Sequence, residues 1–280
     1  MKNNVNRRAY LNSKIREAAS KCSHPFARDC TGMLEAFFLL SIPSSYEWKF
    51  TPTTKLIKKL SNIHKNDEWN KIYWRDLAEN LQAFSVVTYH RQIGIIAPAS
   101  RALNSNELLA AAVLARAAIE LSAWSLYSTN IIRNAVLNMA KKCDPLINRY
   151  TADALQTLLV KMLWGTRLGH ENSELKQLNI LTVLDKLSKH DKENFLLPTY
   201  NLLCEAAHPN VIGNNEYLEY PENQSENDSF TIRISKSPTR SKPNELLEHT
   251  LGGLGWAAVC QRNAMLQIRE SLETIGEKFL

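Results

Sequence analysis

The chain is predicted to be all-α: a helical bundle with an N-terminal helical extension and a small β-hairpin inserted before the C-terminal helix. Three observations carry that prediction. The 280 residues include only nine glycines and ten prolines, too few for a turn-rich β architecture. Apolar residues recur at helical spacing along most of the chain. The stretch from Asn106 to Tyr127, NELLAAAVLARAAIELSAWSLY, is apolar nearly all the way round, which marks a helix at the centre of a core.

Residues 4–22 are expected to form the first helix, with Val5, Tyr10, Leu11, Ile15 and Ala18 near helical spacing. His24 and Pro25 break it. Thr31 is the expected cap of a short second helix that stops before Pro43, and residues 44–52 form an aromatic connector. From Thr54 the pattern is amphipathic, with Leu56, Leu60 and Ile63 on one stripe and Lys55, Lys58 and Lys59 on the other. A longer helix is expected from Asp67 to Gln92, ended by residues 94–99 with Pro98 among them. Asn106 then caps the central helix, whose pattern runs to about Lys142 with a break near residues 128–130.

Asp144 and Pro145 signal a turn. Helices follow at 151–164 and 178–189, joined by a loop. Asp191 or Asn194 starts the next one, with Pro198 in its first turn, and Pro209 ends it. Residues 213–215 read as a turn, and 217–220 and 230–234 alternate as two short strands. A basic linker at 235–243 leads to Asn244, the expected cap of a last helix reaching Lys278. Gly252, Gly253 and Gly255 inside it each cost roughly 1 kcal/mol against alanine, so close packing or a kink is expected there. This divides the chain into a basic N-terminal extension, 1–104, and a bundle, 105–280, with hairpin and linker at 210–243.

Hydrophobic residues at 44% and charged residues at 22% exclude a disordered chain. The formal charge is +6, unevenly spread. Residues 1–80 hold 14 Lys and Arg against 8 Asp and Glu, residues 81–165 hold 8 against 4, and residues 166–280 hold 12 against 16. A basic front suits a polyanionic partner. Ordinary solvation of a globular surface produces the same modest excess. Five scattered cysteines argue for a reducing compartment without a disulfide framework. The first 22 residues are polar and basic, and Arg116 stops the best apolar run, so a cytoplasmic protein without a membrane span is expected. Cys22, His24 and Cys30 are a weak zinc candidate, lacking a CxxC pair. No GxGxxG, Walker A, GxSxG or HExxH motif is present, and no cofactor is expected.

Two sets of residues are candidates for function. The first is a polar cluster: Arg116 and Glu120, one turn apart on the greasy helix, facing Tyr200, Asn201, Cys204, Glu205 and His208 on the segment 199–210. His208 at a helix C-terminus is an acid/base candidate, Arg116 a fixed cation suited to phosphate, and Glu120 or Glu205 an orienting carboxylate. The same residues equally describe a polar network pinning two helices in register. The second set is cationic: Lys49, Lys55, Lys58, Lys59, Lys65, Lys71 and Arg75, interleaved with Trp48, Phe50, Trp69, Tyr73 and Trp74. Lysines on phosphates and rings on bases would bind single-stranded nucleic acid; inward-packed rings with solvating lysines would bind none. Lys236, Arg240 and Lys242 in the linker add a basic arm.

Arg116 and Glu120 in the spacing Arg-x-x-x-Glu, followed by Tyr200, Leu203, His208 and Pro209, resemble a group of uncharacterised bacterial helical proteins. Those in turn are similar to the HEPN superfamily, and the likeness covers roughly residues 105–212. The resemblance implies a helical bundle found in toxin–antitoxin, antiviral-defence and RNA-processing settings, sometimes with metal-independent ribonuclease activity at a homodimer interface. The catalytic form carries Arg, four to six residues, then His on one helix; no histidine of this chain has that arginine. The expectation is therefore an RNA-associated protein of a bacterial defence or toxin-related system, possessing no intact catalytic motif. The alternatives are a ribonuclease built on His208 and Arg116, and a purely structural assembly or dimerisation protein.

Overall fold

In the described residues the apolar spacing resolves into eleven helices and one two-stranded antiparallel sheet. The computed structural model describes residues 10–141, 147, 149–166, 176, 178–219, 232–235 and 245–280. The helices are α1 (Ser13–Ser20), α2 (Pro25–Arg28), α3 (Cys30–Phe38), α4 (Thr53–Ser61), α5 (Asn66–Asn104), α6 (Leu108–Lys141), α7 (Arg149–Trp164), α8 (Ile180–Ser188), α9 (Leu196–Ala207), α10 (Val211–Asn215) and α11 (Glu245–Lys278). Strands β1 (Leu218–Glu219) and β2 (Arg233–Ile234) pair Leu218 with Ile234 and Glu219 with Arg233. The expected all-α class holds, with its hairpin ahead of the last helix.

The chain separates into two compact units, each drawing on both sides of residue 104. One comprises residues 1–39, 92–121 and 184–259; the other comprises residues 40–91, 122–183 and 260–280. In the first unit Leu34, Phe37, Ile96, Ile119, Leu184, Leu196, Leu203, Leu251 and Leu254 are buried. In the second the buried set includes Trp74, Leu77, Leu81, Phe84, Ile132, Val136, Leu155, Leu159, Ile268 and Phe279, with Trp74 stacked on Phe279 at 4.4 Å.

Several expected helix limits move, each for a physical reason. Helix α1 starts at Ser13, where the Asn12 side chain accepts from the Ile15 amide at 2.9 Å; residues 4–9 of the expected helix lie outside the described residues. Pro25 occupies the first turn of α2, where its missing N–H costs nothing, and His24 caps it. Thr31 is therefore not a cap but lies within α3. The long helix does not end at residues 94–99. Helix α5 continues through Pro98 to Asn104, because burial of Ile96, Ala97, Ala99, Ala102 and Leu103 offsets the roughly 3 kcal/mol a helical proline costs.

Asn106 ends α5 instead of starting α6. Its φ is 63°, its amide donates to Leu103 O, and the Glu107 amide donates to Ala102 O, the paired bonds of a Schellman C-cap. Asparagine tolerates that left-handed backbone better than most residues. Nor does α6 break at residues 128–130: Thr129 Oγ1 bonds back to Ser125 O at 2.9 Å and the helix runs on. Helix α6 is thus, by length and composition, long and apolar enough to cross a membrane. A buried core helix meets the same criterion, and 56% of its most apolar window is inside the protein. Asp191 serves the start of α9, its Oδ2 accepting from the Phe195 and Leu196 amides at 2.6 and 2.7 Å. The expected turn at 213–215 is helical, in α10, whereas the linker 236–243 and Asn244 lie outside the described residues.

Helix α11 is continuous through its glycine cluster, and the reason is close packing. A Cβ on Gly252 would lie 2.5 Å from Phe195 Cζ, and one on Gly255 would lie 2.4 Å from Phe26 O. A Cβ on Gly253 would lie 3.1 Å from Ile119 Cδ1 and 3.2 Å from Leu203 Cδ1. These three positions bring α11 against α2, α6 and α9 at near-backbone distance.

Candidate functional site

The second unit carries the chain's entire formal charge. It holds 18 Lys and Arg against 12 Asp and Glu, or +6, while the first holds 16 against 16. Lys49, Lys55, Lys58, Lys59, Lys65, Lys71 and Arg75 all belong to it and are all exposed. Among the described residues none of the seven has a carboxylate within 4 Å, so their charge is available to an outside anion. Helix α4 explains part of this. Burying Leu56 and Leu60 turns Lys55, Lys58 and Lys59 to water. At the start of α5, Lys65, Asn66, Asp67, Glu68, Lys71, Ile72 and Arg75 line an open depression of about 730 Å³.

The aromatics of the same region divide. Tyr73 and Trp74 are core residues, and Trp69 is half-buried and stacked on Tyr73 at 5.5 Å. Those three are not the open rings the sequence reading offered for base stacking. Trp48 and Phe50 are different. They pack together at 4.9 Å and meet Trp164, from the end of α7, at 5.8 and 5.9 Å. Phe50 remains 46% exposed and Trp164 51% exposed.

Polar bonds hold this aromatic group from behind. Trp48 Nε1 donates to Asn80 Oδ1 at 3.1 Å, and Asn80 Nδ2 donates to Asp76 Oδ2 at 2.9 Å. Burial pushes the Asp76 carboxyl up to about 6, against the bonds from Thr51 and Asn80 and the charge of Lys59, while Glu79 adds to the rise. Trp164 escaped the sequence reading because it looks like the last apolar residue of an amphipathic helix. Gly165 behind it was the one signal: a Cβ there would lie 2.3 Å from Lys161 O, so only glycine ends the helix in this way.

In the first unit, the expected meeting of the Arg116–Glu120 pair with the segment 199–210 occurs, but through Tyr200. Tyr200 Oη donates to Glu120 Oε1 at 2.8 Å, and Arg116 Cζ lies 5.9 Å from the Tyr200 ring centroid. Arg116 Nε is 3.2 Å from Glu120 Oε1 without the alignment of a hydrogen bond, so this contact is chiefly electrostatic. Burial disfavours the charged guanidinium, but Tyr200, Cys204 and Glu120 together outweigh it and raise its pKa. Burial and Glu120 likewise hold the Tyr200 phenol protonated far above its usual range. The arrangement suits a register-fixing network between α6 and α9.

His208 and Glu205 do not join that network. His208 is the exposed C-cap of α9, and among the described residues its ring has no hydrogen bond, ion pair or ring contact. Glu205 is exposed and accepts from Asn210 Nδ2. The physical cause is helix geometry: at about 100° per residue His208 lies about 80° round from Tyr200 and Glu205 about 140°, so neither shares the face that Tyr200 presents to α6.

A second polar cluster, absent from the sequence reading, gathers at three helix starts in the same unit. Glu248 Oε1 accepts from Ser23 N, Ser23 Oγ and His24 N at 2.9, 2.7 and 2.9 Å. His24 Nδ1 accepts from the Phe26 amide, leaving Nε2 protonated in the neutral ring and 3.0 Å from Glu193 Oε2. The His24 ring stacks on Phe195 at 3.8 Å. His249 Nδ1 lies 2.8 Å from Thr199 Oγ1, and burial lowers its pKa, with Glu245 and Glu248 opposing. Thr199 is fully buried, so it is no accessible nucleophile. Cys30, its thiol pushed up to about 12 by burial, is no nucleophile either. Among the described residues no three His, Cys, Asp or Glu side chains are arranged to hold a metal ion.

The chain matches no protein-family model, no curated protein and no solved structure.

Proposed function

We propose that this is a helical nucleic-acid-associated protein that binds phosphates through the exposed cations of its second unit. The observation that carries this reading is the charge distribution: all of the +6 resides in that unit. Among the described residues, seven of its cations have no carboxylate within 4 Å, which leaves them to displace counterions from a polyanion. The sequence resemblance to HEPN proteins favours RNA over DNA and a bacterial defence or toxin-related setting, with this chain as a non-catalytic accessory subunit. The ribonuclease alternative is set aside, since Arg116 is engaged by Glu120 and Tyr200 while His208 shares no contact with them.

The test is the salt dependence of RNA affinity, measured by fluorescence anisotropy on the intact chain. Affinity is expected to fall steeply with salt, and replacing Lys55, Lys58 and Lys59 by alanine to flatten the log–log slope by up to about 2, at about 0.7 per lost single-strand phosphate contact. Affinity indifferent to salt and to the three lysines overturns the reading.

A further inference from the structure

We propose that Trp48, Phe50 and Trp164 form a stacking shelf for unpaired bases, so that the bound nucleic acid is single-stranded. This rests on the nucleic-acid reading above and adds what that reading lacks, a contact that separates one strand from two. Phosphate contacts alone do not make that distinction, because a duplex presents phosphates as readily as a single strand. Ring faces do. Bases in a duplex are stacked on one another and show only their edges, whereas unpaired bases have open faces.

The geometry fits this role in three respects. The rings are mutually supported, with Trp48 and Trp164 stacked at 5.8 Å and 21° and Phe50 against both. Trp48 is also fixed from behind, bonded to Asn80 and through it to Asp76, so this ring has little side-chain entropy left to lose on binding. Finally, they are open in front, with about half of Phe50 and of Trp164 in water, an unfavourable exposure for two large aromatics. The charge around them selects the occupant. Lys49, between Trp48 and Phe50 in the chain, is exposed, and Lys59 is near enough to act on Asp76 beneath the shelf. A shelf of rings flanked by exposed cations is complementary to a strand that is aromatic and polyanionic.

The experiment compares three ligands on the whole chain: oligoadenylate, its duplex with oligouridylate, and heparin, a polyanion without bases. Oligoadenylate is expected to bind most tightly and to quench tryptophan fluorescence. Phe50→Ala and Trp164→Ala are each expected to weaken oligoadenylate binding by about 10-fold or more while leaving heparin binding unchanged. If Trp164→Ala loses helical signal, Phe50→Ala and Trp164→Phe carry the comparison, the latter keeping a ring in place. Equal affinity for single strand and duplex, unaltered by the ring variants but still salt-dependent, overturns the shelf and leaves the cationic reading standing. Failure to bind any of the three ligands overturns both. A change from dimer to monomer on Phe50→Ala, seen by light scattering with oligoadenylate affinity intact, makes the rings a self-association surface and also overturns the proposal.

Discussion

At the scale of single residues, buried titratable groups set how stability depends on pH, and Asp76 is the clearest case. Burial disfavours the charged form and pushes its carboxyl up to about 6 in the folded protein from an ordinary value of 3.8. A raised folded-state pKa means the associated stability is whole below 3.8 and is lost as pH rises through 6. The displacement alone corresponds to about 3 kcal/mol, and solvent screening at this partly open site reduces it to about 1–2 kcal/mol. Asp76→Asn, neutral throughout, is therefore expected to be the more stable protein at pH 7 and to lose that advantage by about pH 4. Urea unfolding at the two pH values measures it, and identical midpoints for both proteins at pH 7 would contradict the argument. His249 works in the opposite direction. Its pKa is lowered by burial, so its contribution is whole above the unfolded value of 6.5 and is lost as pH falls below it. The same scale governs the Arg116 cluster. Tyr200→Phe removes the bond to Glu120 and is expected to cost about 1 kcal/mol, while Glu120→Ala, which strands Arg116, costs more, about 2–3 kcal/mol. Thermal midpoints of the two variants rank these effects.

At the scale of elements, α11 shows how the same residue type has opposite consequences at different positions. Gly252 and Gly255 sit where a methyl group would meet Phe195 and the Phe26 carbonyl, so alanine at either is expected to destabilise by about 1–3 kcal/mol. Gly276 is exposed on the same helix with nothing within 4 Å of a Cβ, so alanine there is expected to stabilise by about 0.5–1 kcal/mol. Denaturant midpoints of the three variants separate the two situations; stabilisation of equal size at all three would mean that intrinsic propensity, not packing, was decisive. Much at this scale was legible in advance. The period of Leu56 and Leu60 against Lys55, Lys58 and Lys59 placed α4 correctly, because an isolated amphipathic stripe has one way to be buried. The end of α5, the start of α6 and the continuity of α6 were not legible, although its C-terminal limit near Lys142 was. Pro98 and the Ser128–Asn130 segment carry breaker chemistry, yet burial of Ile96 and Leu103 and the back-bond of Thr129 override it. Asn106 suits a cap at either end of a helix, and only its backbone angle shows which.

At the scale of the whole molecule, charge is sorted by unit, not by the order of residues along the chain. A front-to-back reading made the N-terminal 80 residues the basic region. The three-dimensional division instead leaves one unit neutral and gives the other everything. This yields a control for the salt experiment. Lys14 and Lys192 are exposed cations of the neutral unit, and replacing both with alanine is expected to leave the salt slope of RNA binding unchanged. A slope reduced as much as by loss of Lys55, Lys58 and Lys59 would mean that net charge, not a localised face, attracts the nucleic acid.

By itself the sequence determined the helical class, the buried central helix, the hairpin before the last helix and the cations of α4, since periodicity and composition are local properties that survive whatever surrounds them. Only the tertiary structure decided that Tyr200, and not His208 or Glu205, is the member of the expected segment that meets Arg116 and Glu120, that Asp76 is linked through Asn80 to Trp48, and that Trp164 joins Trp48 and Phe50 in the open. Those pairs are 80 and 116 residues apart in the cases of Tyr200 with Glu120 and Trp164 with Trp48, and long-range proximity is set by how whole helices pack, which no window of sequence encodes.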